Sequence, residues 1–294
     1  MKEKDIPVFS IVTPSYNQGR FIEDTIKSVL AQAGEFYIDY VIMDGGSTDA
    51  SVDIIMKYER LLREGKWPVR CLGIEYRWVS EKDGGQADAI EKGFARARGE
   101  IGVWLNSDDV FYSDRVFEAV ARYFCGGDAD LVIGDGTLID RDGCQTGVHH
   151  TDRIDLRELI FLDYHILQPS AFLKTDYYRT VQFDKRLNYC FDADFFIRLI
   201  GGGIRYKKVA DRFSSFRLYS ETKTLSGREK SVAECMIIAR KHTDDRALLA
   251  ACKAYKYLSL VIKIKYARST LARYGCFLAR AVFYRLIAGA WGRR

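Results

Sequence analysis

The apolar positions of the first hundred residues fall into short runs separated by stretches of helical spacing. Phe9-Ser10-Ile11-Val12-Thr13 reads as a strand ended by Pro14. Phe21, Ile22, Ile26, Val29 and Leu30 then recur at three- and four-residue intervals, which predicts a helix over 19–33. Ile38 to Met43 has the length and continuity of a second buried strand. Val52, Ile55, Met56 and Tyr58 give an apolar face to a helix opening at Asp49. Residues 71–79 read as a third strand, 86–98 as a helix, and 100–105 as a fourth strand. Such alternation predicts a mostly parallel sheet with helices on both faces. The pattern then changes. Residues 131–140 read as a strand and hairpin, 168–173 and 204–209 as strands, and 213–219 as an irregular polar-aromatic stretch. A helix opens near Asp192, and beyond Arg228 the spacing is helical throughout.

In open sheets of this kind ligands bind outside the carboxyl ends of the strands, so the residues after each strand carry the chemistry. They are Thr13-Pro14-Ser15-Tyr16-Asn17, then Asp44-Gly45-Gly46-Ser47-Thr48-Asp49, then Asp83-Gly84-Gly85-Gln86, then Asn106-Ser107-Asp108-Asp109. Acids recur on one rim. Asp108 and Asp109, expected at a loop rim outside the core, repel one another unless a cation sits between them and an anionic ligand. Carboxylate oxygens suit Mg²⁺ or Mn²⁺, which also take oxygens from phosphates. The competing reading makes Asp44, Asp83, Asp108 and Asp109 turn residues and Asp192 a helix cap.

Composition narrows the picture. A chain of 294 residues with 48% hydrophobic content can bury one large or two small domains. The seven cysteines are scattered and form no Cys-x-x-Cys pair, so they read as buried or free thiols and not as a disulfide framework or zinc site. The histidines, His149, His150, His165 and His242, show no ligand spacing. The charged start, Met1 to Asp5, lacks an apolar signal region, which predicts a cytoplasmic protein.

The net charge of +5 hides an asymmetry. Residues 246–294 hold eleven Lys/Arg and no Asp or Glu, leaving 34 basic against 40 acidic residues in 1–245. A basic tail on an acidic body points to an anionic surface. Arginines interrupt its apolar runs before they reach the roughly 18–20 residues a membrane span needs. Tyr255, Tyr257, Leu258, Leu260, Val261, Ile262, Ile264 and Tyr266, then Phe277, Leu278, Val282, Phe283, Leu286, Ile287 and Trp291, lie among these cations and suit the plane of an anionic membrane, with peripheral attachment to the inner face. A helical cap packed on the body, with its Lys/Arg toward water, is the other reading. No recognition motif accompanies the charge, so nucleic acid is not an expected partner.

The four post-strand motifs, together with Phe191-Asp192-Ala193-Asp194, resemble in order and spacing the motifs of glycosyltransferase family 2 over about residues 6–225. The resemblance implies the α/β GT-A fold, a Rossmann-like, mostly parallel sheet flanked by helices, here with a C-terminal helical extension. It implies a catalytic domain over 1–225, with a nucleotide-sugar half to about 110 and an acceptor half over 111–225, followed by a basic helical region over 226–294. It further implies transfer from a nucleotide-sugar donor, with a UDP-sugar expected, to a glycan or lipid-linked saccharide, with inversion and a divalent metal, Mg²⁺ or Mn²⁺. Carried onto this sequence, Thr13, Pro14, Tyr16, Asp44, Asp83, Gln86 and Asp108 meet the donor, Asp108 and Asp109 bind the metal, and Asp192 is the general base. Asp194 reads as a supporting acid of the first helical turn. The segment from Phe216 to Thr224 departs from the family pattern: Tyr219 stands where relatives often carry a histidine near the metal, and tyrosine is a poor ligand for Mg²⁺. Arg217 and Lys223 are candidates for the diphosphate or for a solvated face. Two other functions remain open: a catalytically inactive nucleotide-sugar-binding scaffold and a nucleotidyltransferase. The second normally needs a glycine-rich phosphate loop after its first strand, where this chain has Pro14-Ser15-Tyr16-Asn17.

Overall fold

The structure is a computed structural model that describes residues 6–151, 153–265 and 270–291. Met1–Asp5, Tyr266, Arg268, Arg293 and Arg294, on which part of the reading of the two termini rests, lie outside the described residues. Among the described residues nine strands form one sheet: β1 (Val8–Ser15), β2 (Tyr37–Asp44), β3 (Gly73–Ser80), β4 (Ile101–Trp104), β5 (Val110–Phe111), β6 (Leu131–Ile139), β7 (Gln145–His149), β8 (Ala171–Lys174) and β9 (Tyr206–Arg217). The spatial order is β3-β2-β1-β4-β8-β6-β9-β5, with β7 paired to β6. β1 to β4 are mutually parallel, and β8 runs antiparallel to both β4 and β6. The helices are α1 (Ile22–Leu30), α2 (Ser51–Arg63), α3 (Gln86–Arg96), α4 (Val116–Phe124), α5 (Leu156–Phe161), α6 (Thr175–Thr180), α7 (Phe191–Gly201), α8 (Lys223–Ser226), α9 (Arg228–His242), α10 (Arg246–Lys265) and α11 (Thr270–Trp291).

The chain divides into two compact units. The first holds the chain up to Thr151 with Ile166–Lys185 and Gly203–Leu218, and so contains the whole sheet. The second holds the segment from Arg153 to His165, Arg186–Gly202 and the chain from Tyr219 onward. In the first unit Phe9, Phe36, Phe111, Phe117, Phe172 and Phe213 gather into one aromatic core, with Phe9 stacked on Phe117 at 4.7 Å. Each such ring contributes about 1.5–3 kcal/mol by leaving water.

Three local expectations change. β1 runs through Pro14 to Ser15, because its pairing with β4 ends at Val12↔Trp104 and the missing proline N–H costs no ladder bond there. β8 begins only at Ala171, since Gln168–Ser170 form a single 3₁₀ turn around Pro169. The stretch read as irregular is the inner half of β9. Its polar residues hid a buried strand, because Ser214 and Ser215 are paired with the hydroxyls of Ser170 and Thr137, each at 2.7 Å.

Candidate active site

The three edge-side strands end at one level. The register aligns Ser15 with Asp44 and Asp44 with Ser80, so their loops leave the sheet side by side. Gly45 N–H donates to the Ser15 carbonyl at 2.8 Å, and Glu81 N–H to the Asp44 carbonyl at 2.9 Å. Asn17 adopts the left-handed region at φ 52°, and its N–H donates to Ser47 Oγ at 2.7 Å while its Oδ1 accepts the Thr48 N–H at 2.8 Å. Asparagine tolerates this conformation better than most residues. Gly19 N–H reaches Asp49 Oδ2 at 2.8 Å, completing the stitch between the first two loops.

Within this rim the expected donor residues separate by position. Thr13 and Pro14 are buried in β1, and the Thr13 hydroxyl shares a 3.1 Å hydrogen bond with that of Tyr40. They shape the floor beneath the loops. Asp44 is 2% exposed. Its Oδ2 accepts from Gly46 N–H, Ser47 N–H and the Ser80 hydroxyl, at 3.1, 2.8 and 2.7 Å, and its Oδ1 from the Ser47 hydroxyl. Three donors from its own turn and one from the end of β3 make this carboxylate the brace of the turn. Tyr16, in contrast, is 61% exposed. A Cβ at Gly45 would stand 3.0 Å from Asp83 Oδ2 and 3.4 Å from Tyr16 Cδ2, so any larger residue there would press on both. Asp83 Oδ1 is engaged by Gly85 N–H at 2.7 Å. The result is an open corner in which an aromatic ring lies beside a carboxylate.

A second chain of contacts leads from α3 to β9. Gln86 Nε2 donates to Asn106 Oδ1 at 2.7 Å, and Asn106 Nδ2 donates to Asp109 Oδ2 at 3.2 Å. Asp109 Oδ1 accepts the Arg217 N–H at 2.9 Å. Asp109 is therefore wholly buried, whereas its neighbour Asp108 is partly exposed. The expected placement outside the core holds for Asp108 and not for Asp109. Burial, reinforced by the charge of Asp108, pushes the Asp109 carboxyl well above the usual carboxylate range. Arg217 is 2% exposed, and its guanidinium serves the carbonyls of Asp108, Asp140 and Arg141 and the carboxylate of Asp24. That corrects its reading as a diphosphate contact or solvated cation: it is an internal strut for the acidic loop.

The donor chemistry of this loop is compatible with a divalent metal through Asp108, whose carboxylate is partly exposed, while both oxygens of Asp109 are already engaged by the Asn106 amide and the Arg217 N–H. Among the described residues no group of three or more His, Cys, Asp and Glu side chains is arranged to hold a metal. Protein carboxylate would thus supply only part of a coordination sphere, as suits Mg²⁺ or Mn²⁺ sites that draw on phosphate and water.

In the second unit, Asp192 occupies the first turn of α7. Burial pushes its carboxyl up to about 6, against the opposing effects of local backbone N–H groups and of Lys223. Asp194, in the same helical turn, is fully buried and bridged to Arg198 and Lys241, which gives it a structural role. Burial lowers the Lys223 ammonium below its ordinary value.

Comparison with known proteins decides the family. Residues 10–198, more than half of the chain, match the model described as glycosyl transferase family 2. The chain belongs to this family. It is 32% identical over 143 residues to the Bacillus subtilis protein named "Putative teichuronic acid biosynthesis glycosyltransferase TuaG", covering 46% of this chain and 52% of that one. It is 30% identical over 127 residues to glycosyltransferase GlyG of Streptococcus pneumoniae, covering 43% and 38%. The matches thus span about half or less of these relatives. Among solved structures, S. aureus TarS 1–349 in complex with UDP-GlcNAc aligns with a TM-score of 0.61 at 17% identity over 95% of this chain and 81% of that one. The mannosyltransferase PcManGT of Pyrobaculum calidifontis, in complex with GDP-Man and Mn²⁺, gives 0.59 at 14% identity, covering 98% and 80%. Both likenesses establish the GT-A fold for this family 2 chain.

Sequence reasoning missed that Asn106 and Arg217 are struts of the acidic loop, and it missed Glu234 of α9, whose carboxylate accepts the backbone N–H groups of Asn188, Tyr189 and Cys190. Asn106 and Arg217 lie inside recognisable motifs, but nothing in their spacing shows that their side chains turn inward. Glu234 sits on a helix whose exposed and buried positions do not follow a clean stripe, so no periodic signal singles it out.

Proposed function

We propose that this family 2 protein is an inverting glycosyltransferase that moves a sugar from a nucleotide diphosphate, UDP being the expected carrier, to a hydroxyl of a glycan or lipid-linked saccharide. The observation that carries the reading is the level rim of the sheet, where exposed Tyr16 lies beside the Asp83 carboxylate and the buried-acid loop follows on the next strand. An aromatic face can stack on a nucleobase and a carboxylate can accept from its imide N–H or from ribose hydroxyls. Asp44 supports that corner by fixing its turn, and Gln86 supports it through Asn106. The donors bound by TarS and PcManGT, UDP-GlcNAc and GDP-Man, favour the same class of substrate. We assign residues 1–225 to catalysis, with the donor half to about 110, and 226–294 to a helical basic region.

Asp108 and Asp109 would hold Mg²⁺ or Mn²⁺, with Asp108 presenting the accessible carboxylate and Asp109 fixing the loop. When bound, the ion neutralises charge gathering on the departing diphosphate. Asp192 accepts the proton of the acceptor hydroxyl as that oxygen attacks the anomeric carbon from the face opposite the diphosphate, which inverts the centre. A carboxyl near 6 is mostly ionised at neutral pH and more basic than an ordinary aspartate, as a general base requires. Only the ionised form can take the proton. kcat is therefore expected to fall as pH drops through about 6, and a pH profile with its acid limb near 4 would remove Asp192 from the role. A screen of UDP-, GDP- and dTDP-sugars for Mn²⁺-dependent hydrolysis tests the function itself. Binding without turnover of any donor would favour the scaffold reading.

The basic region is also assigned to an anionic membrane at the cytoplasmic face. Among the described residues no helix is long and apolar enough to cross a membrane. Leu278, Val282 and Leu286, four residues apart on α11, are 48%, 57% and 58% exposed, and Tyr257, Leu258 and Val261 of α10 are comparably exposed. The opposite side of α10 is packed, with Leu248, Cys252 and Tyr255 buried. Deleting 246–294 would therefore damage the second unit, and surface changes are the better test. Leu278→Ser, Val282→Ser and Leu286→Ser together are expected to abolish flotation with anionic liposomes at an unchanged melting temperature. Equal, negligible flotation of the unmodified protein with anionic and neutral liposomes would end this assignment. Each cation near such a surface is worth about 1 kcal/mol, so high salt should weaken the attachment.

A further inference from the structure

The start of α7 has a gap in its own capping. Its N-cap is Cys190, whose side chain makes no capping hydrogen bond. Helix N-termini leave backbone N–H groups without intrahelical partners. Here a partner from another helix serves the N-cap itself and the two residues before it. Glu234 of α9, 9% exposed, accepts three consecutive backbone N–H groups: Asn188 at 2.9 Å on Oε1, and Tyr189 at 2.7 Å and Cys190 at 2.8 Å on Oε2. Hydrogen bonds to an ionised acceptor are roughly twice as strong as neutral ones. The turn is held on its other side as well. Gly227, which opens α9, lies so close to the Tyr189 ring that a Cβ there would stand 1.9 Å from Cε1. Asp192 follows this clamped turn by two residues.

We propose that Glu234 is the positioning residue for Asp192, fixing the turn 188–190 so that the base is presented at one place and one degree of burial. The inference rests on the reading of Asp192 as the general base. Glu234 is not a catalytic residue, since it acts through the backbone of the turn. A carboxylate suits this position because its two oxygens serve three amides. A neutral amide side chain cannot reproduce that, because its NH₂ would face an N–H. Asp192 itself is faced by Lys223 of α8, by the Cys235 thiol of α9 and by the Cys190 thiol of the turn, and the charge of Glu234 acts on all three.

The test is Glu234→Gln beside Asp192→Asn in the full chain, using the nucleotide sugar that the hydrolysis screen selects, with Mn²⁺. Glu234→Gln is expected to lower kcat roughly tenfold, since small misplacements of a reacting group are costly. Donor Kd should not change. The acid limb of its pH profile should shift below that of the unmodified protein, because a loosened turn lets water reach Asp192. Amide exchange at 188–190 should accelerate at least tenfold, while exchange in the sheet is unaltered. A merely structural role would lower the melting temperature without moving the pH profile. Gly227→Ala disturbs the same turn from its other side and should give the same signature, which keeps the proposal falsifiable where Glu234→Gln folds poorly. If Asp192→Asn is inactive and the turn variants match the unmodified protein in kcat, pH profile and exchange, Glu234 has no positioning role. If Asp192→Asn retains kcat, the base assignment fails and the positioning proposal falls with it.

Discussion

Asp192→Asn is expected to lower kcat by about 10²–10⁴-fold, the usual contribution of a positioned general base, and to leave donor affinity unchanged. The amide is nearly the same shape as the carboxyl, so the first turn of α7 keeps its geometry. What it loses is the capacity to accept a proton at neutral pH. Because burial holds the Asp192 carboxyl at about 6, the pH dependence near that value should disappear with the base. Donor Kd measured beside kcat separates this outcome from a folding defect. An unchanged kcat would make Asp192 a plain acid of the first turn of α7.

Asp108→Ala should have an effect of similar size for a different reason. With the accessible carboxylate gone, a metal-bound diphosphate would lose part of its charge compensation, and removal of one such electrostatic group typically costs about 10²–10³-fold in kcat. EDTA should produce the same loss in the unmodified protein and little further loss in the variant. The melting temperature separates the two acids. Asp108 is partly exposed, and Asp108→Ala should shift stability by less than about 0.5 kcal/mol. Asp109→Ala removes the acceptor of the buried Arg217 N–H and of the partly buried Asn106 amide, and should cost about 1–3 kcal/mol. Full activity of Asp108→Ala in the presence of EDTA would contradict the metal assignment.

Much of the first unit was legible because β1, β2 and β4 are buried on both faces and the helices carry one apolar stripe. Continuous apolar runs and three-to-four spacing survive in such elements, and the sheet rule then points to the rim. The acids of that rim were legible as positions but not as roles. Asp44 and Asp109 turn inward to brace loops, Tyr16 and Asp108 reach outward, and only side-chain geometry tells these apart. β9 was illegible because its inner half is polar and satisfied by hydroxyl pairs, so it lacks the apolar signature of a buried strand. Glu234 was illegible for a related reason: an acid on a helix reads as solvated until the turn it grips, 44 to 46 residues earlier, is seen. The basic tail was read as either an anchor or a cap, and the described part of α10 and α11 has a buried face and an exposed apolar face at once.

The most direct test of the central claim is the anomeric configuration of the sugar at the moment of transfer. Proton NMR can follow Mn²⁺-dependent turnover of the selected nucleotide sugar, to an acceptor hydroxyl or to water, before mutarotation mixes the anomers. Direct attack by an oxygen deprotonated by Asp192 predicts that the first product formed carries the configuration opposite to that of the donor. A first product with the donor's own configuration would contradict the account.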